Sequence, residues 1–369
     1  MHIVWFSWKD RWHPQAGGAE TVSGEIMDRL ARDGHTITLF TAMYPGASQY
    51  EQKRDVSIYR SGNRFTVYLK ALFSYRRYQK THEKPSLVID EMNTIPFFAG
   101  AYVKASQKVL LSYQLAREVW FYQMLPVLSH IGFVIEPLYL ALVAKLYPTV
   151  LTESLSSKRD MEKYGLKNIK TFSIGMALEP LKTLKTKPAS PVVLSLGAVR
   201  PMKRTIDAVK AFEEAHSINP DLKMIIAGDI SGGYGDSLKG YVAKSRSKAN
   251  IEILGRVSSE KRLKLMREAG VILVTSIKEG WGLIVTEANS QGTPAVVYDV
   301  DGLRDSVRHK KTGIVSANND PLALGQATVD ILADKTAYKK IRQTAWIWSK
   351  EFTFEKSYRD FCKKANIPL

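Results

Sequence analysis

Residues 275–292 read TSIKEGWGLIVTEANSQG, and their reading decides the fold. Immediately before them comes Val271-Ile272-Leu273-Val274, a short continuous apolar run of the kind that marks a strand buried on both faces. A loop with two glycines follows, Gly280 and Gly282. Helical spacing then starts at Leu283, and Gly292 is placed to end that helix. A second apolar run, Ala295-Val296-Val297-Tyr298, begins just after Pro294. The order is strand, glycine loop, helix, strand, which is one βαβ unit. A helix N-terminus reached through a glycine loop presents free N–H groups and the positive end of a dipole, so it suits phosphate. Glu279 precedes the glycines and Glu287 sits one turn into the helix, with seven residues between them. Carboxylates do not bind phosphate, but they accept hydrogen bonds from sugar hydroxyls.

Working outward, the preceding segments repeat the pattern. Val192 to Leu196 reads as a strand, followed by Gly197-Ala198-Val199-Arg200-Pro201-Met202-Lys203 and a helix from about Thr205 with Ala208, Val209 and Phe212 on one face. Lys223–Gly228 and Ile251–Leu254 are further strands, ending in Gly228-Asp229 and Gly255-Arg256. In doubly wound units ligands bind beyond the carboxyl ends of the strands. The loops at 197–203, 228–233, 255–258 and 276–282 all fall on that edge. Arg200 and Lys203 are therefore candidate diphosphate ligands, one a planar fork and the other a point charge.

The first half has its own βαβ opening. His2–Phe6 is a strand, Gly17-Gly18 lead into a helix carrying Val22, Ile26 and Leu30, and Thr36–Thr41 is a second strand. Strand-like runs follow at Val56–Tyr59, Leu87–Ile89, Val109–Leu111 and Val150–Thr152. Alternation of this kind argues for a mostly parallel sheet. The polar, basic LKTLKTKPASP at 181–191 reads as a linker between domain 1–180 and domain 192–345. A terminal helix is expected over 346–369, crossing back to the first domain. A length of 369 residues suits two domains.

With 53 Lys and Arg against 36 Asp and Glu, the chain carries a net charge of +17, which implies an anionic partner. No recognised nucleic-acid motif accompanies it. Part of the charge lies in 60–84, where seven cations (Arg60, Arg64, Lys70, Arg76, Arg77, Lys80, Lys84) face one acid, Glu83, with aromatics between them. Residues 119–147 are strongly apolar. Their longest uncharged run, Val119 to Ile135, contains Pro126 and Gly132 and is interrupted by Glu136-Pro137, short of a good spanning helix. A buried helix pair and an interfacial surface are both compatible with it. The lone cysteine, Cys362, excludes a disulfide framework, and residues 1–20 lack a signal-peptide layout, so a cytoplasmic setting is expected.

Two Rossmann-like halves, a phosphate loop in the second and the E-x7-E pair together resemble the family 4 retaining glycosyltransferases of GT-B fold. The resemblance covers nearly the whole chain. It is densest at Glu279-Gly280-Trp281-Gly282-Leu283, Glu287-Ala288 and Gly292-Thr293-Pro294, and includes Asp301-Gly302-Leu303, Gly17-Gly18-Ala19-Glu20 and Gly34-His35. It implies two doubly wound domains facing across a cleft and a retaining transfer of hexose from a UDP- or GDP-sugar to a lipid-linked or polysaccharide acceptor in cell-surface glycan synthesis. By the same resemblance Glu279 faces the donor sugar, with Lys203 on the diphosphate and Glu287 on the ribose. Arg256 and Val257 lie near the base. Gly17, Gly18, Gly280, Trp281, Gly282, Leu283 and Ile284 complete the donor site. No metal or other cofactor is expected, because cationic side chains and a helix dipole neutralise the leaving diphosphate.

Two departures qualify the match. The family's usual Arg after the first glycine is Ala198 here, so Arg200 is expected to substitute. Tyr113 stands where the family often has a His. Asp299-Val300-Asp301 is formally a DxD motif but follows a strand, where a turn is the better reading. The alternatives are a nucleotide-sugar 2-epimerase of the same fold and a non-catalytic nucleic-acid binder. Peripheral contact with the inner face of a membrane is expected through 60–84 and 119–147.

Overall fold

The computed structural model describes residues 1–187 and 191–369. They form two units, Met1–Gly175 with Thr353–Leu369, and Met176–Phe352.

The first unit is built on an eight-stranded sheet, with strands β1 (His2–Phe6), β2 (Thr36–Thr41), β3 (Tyr50–Lys53), β4 (Val56–Arg60), β5 (Leu87–Met92), β6 (Gln107–Ser112), β7 (Thr149–Thr152) and β8 (Ile169–Thr171). Their spatial order is β3-β4-β2-β1-β5-β6-β7-β8. Every pairing is parallel except β3 with β4. The central strands are buried end to end, which is why they read as unbroken apolar runs. The second unit carries a six-stranded, all-parallel sheet of β9 (Val192–Leu196), β10 (Lys223–Ala227), β11 (Ile251–Gly255), β12 (Ala269–Val274), β13 (Ala295–Val297) and β14 (Gly313–Val315), ordered β11-β10-β9-β12-β13-β14. In each sheet the strand order reverses at one place: between β1 and β5, and between β9 and β12. These are the points where open α/β sheets bind ligands.

The observed boundaries differ from those expected in two ways. The first unit ends at Gly175, and residues 176–187 join the second. There Leu181 N–H donates to Ser290 O, and the Trp346 indole N–H donates to Leu181 O. Residues 188–190 of the expected linker lie outside the described residues. The expected terminal helix is two helices, Lys335–Ser349 in the second unit and Phe354–Ala365 in the first. Strands β3, β8 and β14 are too short or too polar to announce themselves by hydrophobic pattern.

The apolar stretch also differs from its sequence reading. Pro126–Leu146 is a single unbroken helix of 21 residues, by length and composition able to cross a membrane. Both residues that were expected to interrupt it are satisfied by the segment before it. Pro137 cannot donate to the carbonyl four residues back, and that carbonyl, Phe133 O, instead accepts from Arg117 Nη1 at 3.0 Å. Glu136 is fully buried. It accepts from the N–H groups of Ala116 and Arg117 and from the Trp120 indole at 2.9, 2.7 and 2.8 Å. The helix is not a core helix, since only 22% of its most apolar window is buried. Val127 and Leu138 are 72% and 69% exposed.

Candidate functional site

The candidate donor site forms on the strand-end edge of the second sheet. The β9 and β12 loops open at its switch point, and one charged side chain from each meets the other there. Lys203 Nζ and Glu279 Oε1 lie 2.5 Å apart. Ser276 Oγ donates to the same carboxylate oxygen at 2.6 Å. Backbone contacts hold the two loops together. Ile277 N–H donates to Met202 O at 2.9 Å, and Thr275 Oγ1 lies 2.9 Å from the carbonyls of both Lys203 and Arg204. These contacts stabilise a tight turn at Arg204, whose φ of +48° is sparsely populated by side-chain-bearing residues.

Glu279 is fixed from its other side by the β13 loop. Its N–H donates to Asp301 O at 3.1 Å, and Gly302 (φ +77°) lets that backbone approach, because a Cβ there would strike the Glu279 carbonyl. Asp299 and Asp301 both accept from Arg304, at 2.6 and 3.1 Å, so the DxD motif builds a turn. The helix Leu283–Ser290 begins at Gly282, whose φ of +89° suits glycine. Its first turn holds Leu283 and Ile284 beside the loop. Trp281 packs on Phe352, with ring centroids 5.3 Å apart, and near Trp348.

Glu287 lies within the same helix and is buried, which pushes its carboxyl pKa up; the Arg262 guanidinium pulls it back down. Arg262 pairs with Glu287 Oε2. Arg256, at the end of β11, is 71% exposed and donates to Asp229 Oδ2 at 2.9 Å. That bond and the Ser231 N–H hold the Asp229 carboxyl well below the usual carboxylate range. Arg200 is exposed at the start of the short turn Pro201–Lys203, where its carbonyl accepts from Lys203 N–H at 2.9 Å. Sequence reasoning placed Lys203, Glu279 and Glu287 on the edge but missed Arg262 and the partner role of Asp229. For Arg256 and Asp229, opposite charges on adjacent loops of a doubly wound edge were the available signal; Arg262 lies inside the helix Ser259–Glu268 and had none.

The first unit's edge has a different character. Gly17 caps the helix Gly18–Arg32 and donates to Glu20 Oε2 at 2.6 Å, while Lys9 pairs with Glu20 Oε1 at 3.1 Å. Tyr113 is buried, with its hydroxyl 2.7 Å from Ser23 Oγ on that helix. Burial pushes its phenol well above the usual range. Glu91, at the end of β5, is fully enclosed and accepts from the Trp5 indole at 2.9 Å. Burial and the nearby Glu20 charge raise its pKa to about 8.

A family model for group 1 glycosyl transferases matches residues 181–347, and one for glycosyltransferase family 4 matches 16–176. The chain belongs to the group 1, family 4 glycosyltransferases. It is similar to a D-inositol 3-phosphate glycosyltransferase of Nocardia farcinica, 27% identical over 159 residues, a match spanning 42% of this chain and 35% of that protein. The fold matches a sucrose-phosphate synthase of Thermosynechococcus elongatus with a TM-score of 0.78 at 18% identity, over 98% of this chain and 97% of the other. It also matches Anabaena HepE in complex with UDP and glucose, with a TM-score of 0.72 at 16% identity over 99% of each chain. The architecture is therefore GT-B.

Proposed function

We propose that this protein is a retaining glycosyltransferase that moves a hexose from a nucleotide sugar to a lipid-linked or polysaccharide acceptor. The observation that carries this reading is the Lys203–Glu279 pair at the switch point of the second sheet. The ammonium suits a diphosphate and the carboxylate suits sugar hydroxyls, so the pair matches the two ends of one donor. Catalysis then consists of positioning and charge stabilisation, with Lys203 and the Gly282-started helix facing the leaving diphosphate. UDP-glucose is the first donor to test, because UDP and glucose occupy the structurally similar HepE, and GDP-mannose is the second.

The acceptor reading rests on the first unit's surface. On the helix Val67–Tyr78, Val67, Ala71, Tyr75 and Tyr78 turn inward, while Leu69 and Phe73 are 67% and 62% exposed beside Arg76 and Arg77. Arg64 reaches Met124 Sδ at 3.9 Å, next to the exposed apolar helix Pro126–Leu146. Exposed apolar side chains flanked by Arg64, Lys70, Arg76 and Arg77 suit an anionic lipid surface. Arg60 is withdrawn from that set, because it is buried against Asp10 at 2.6 Å and Glu51 at 2.9 Å.

Two assays test the reading. Incubation with labelled UDP-glucose or GDP-mannose and a lipid extract should move label into the lipid fraction; release of free sugar with no transfer to any acceptor would overturn it. In a flotation assay the protein should rise with anionic vesicles at low salt, and Arg76→Glu/Arg77→Glu should remain at the bottom. A wild-type protein that never floats removes the membrane part and leaves the transferase.

A further inference from the structure

The buried carboxylate Glu287 has one oxygen committed and one open. Arg262 sits one turn into the helix Ser259–Glu268, after the Ser258 cap whose side chain accepts from Lys261 N–H at 3.2 Å. It shares a helix face with Leu265 and Met266, which are buried against the sheet. That packing sets the height of the Arg262 side chain, and its guanidinium meets Glu287 Oε2. Among the described residues Oε1 receives no hydrogen bond. Glu287 is only 6% exposed, and a carboxylate so enclosed is costly without a partner. The Arg262 side chain is 35% exposed, so the pair lies at the margin of the site.

We infer that Arg262 is a positioning residue for nucleotide recognition, holding the Glu287 carboxylate by Oε2 so that Oε1 accepts hydrogen bonds from the ribose hydroxyls of the donor. The inference rests on the proposed assignment of Glu287 to the ribose. It adds that the ribose contact is made on the carboxylate's free side, and that Arg262 touches neither base nor phosphate. Arginine suits the task because its planar fork fixes a carboxylate's orientation as well as its charge.

The test is a binding titration with UDP, GDP and their 2′,3′-dideoxy counterparts against wild type, Arg262→Ala and Arg262→Lys. Wild type should bind the hydroxylated form of its nucleotide at least about tenfold more tightly than the dideoxy form, as a site built to hydrogen-bond a hydroxyl does. Arg262→Ala should lose that preference, about a tenfold loss for the hydroxylated nucleotide, with dideoxy binding unchanged; Arg262→Lys should recover part of it. If Arg262→Ala keeps the wild-type preference, or loses dideoxy affinity equally, Arg262 does not act through Glu287 and the inference fails while the ribose assignment stands. If wild type itself shows no preference in either nucleotide series, the ribose assignment fails and the inference with it. Should Arg262→Ala not fold, Arg262→Gln, which keeps the polar bulk without the charge, replaces it. That variant should bind both forms alike, and a retained preference would overturn the inference.

Discussion

The two sheet edges share a topology and differ in charge chemistry. On the second sheet, charged groups meet in pairs: Lys203 with Glu279, Arg256 with Asp229 and Arg262 with Glu287. On the first, buried groups gather with one cation nearby: Glu91, Glu20 and Tyr113, with Lys9 on Glu20. Pairs of opposite charge can exchange partners, so a diphosphate can take a cation away from its carboxylate. The enclosed Glu91 carboxyl and Tyr113 phenol offer neutral hydrogen bonding instead, which suits a hydroxyl group better than a phosphate. The difference teaches that a doubly wound edge only provides a place, and that loop chemistry decides what binds there.

The comparison breaks most visibly at Lys203. If the second edge neutralises a leaving diphosphate, Lys203→Ala should lower kcat/KM by about 10²- to 10³-fold, the usual cost of removing one preorganised donor to developing charge. Glu279→Gln should mainly lower kcat, because the amide still accepts from Ser276 while the charge facing the sugar is gone. Steady-state kinetics with varied donor check both. Near-normal turnover in Lys203→Ala would leave the second edge without its assigned role.

Much of this was legible in the sequence, for identifiable reasons. Central strands such as Val271–Val274 are buried on both faces and so appear as apolar runs, and Gly282 and Gly292 mark turns by needing positive φ. Glu279 and Glu287 can be placed on one strand-end edge from sequence because their loop and helix are contiguous. Arg262 was not found, because its partner lies 25 residues away and the link is made only by packing. Arg60 misled in the opposite direction: it sits among surface cations in the sequence, yet Asp10, 50 residues earlier, draws it inside. The Glu136-Pro137 pair misled similarly, since the rescue by Arg117 and Trp120 involves residues that carry no such signal in one dimension.

The comparison is sharpened by pH. Glu91 has a folded pKa of about 8 against an ordinary value of 4.5. Between those values the folded state holds a proton that the unfolded chain has released. The stabilisation is therefore complete below about pH 4.5 and is lost progressively as pH rises toward and through about 8. Thermal melts from pH 6 to pH 9 should show the wild type losing several degrees. Glu91→Gln, which keeps an acceptor for Trp5, should show a flatter profile. Equal slopes would mean that the first edge is not built from protonated groups.

The smallest effect is expected at Arg200, and it concerns how the second edge compensates for Ala198. Arg200 lies on the same loop as Lys203 but is exposed, whereas Lys203 is already drawn to Glu279. A mobile guanidinium must be ordered before it can bind phosphate, and that lost side-chain entropy offsets part of the charged hydrogen bond it would form. Arg200→Ala should therefore cost about tenfold in kcat/KM, or ~1.4 kcal/mol, well below the effect at Lys203. Ala198→Arg, which restores the family's residue, should make Arg200 dispensable if both reach the same phosphate. If Arg200→Ala has normal kinetics in the wild-type background, Lys203 is the sole side-chain cation at the diphosphate. The missing arginine would then be replaced by nothing but the helix that starts at Gly282.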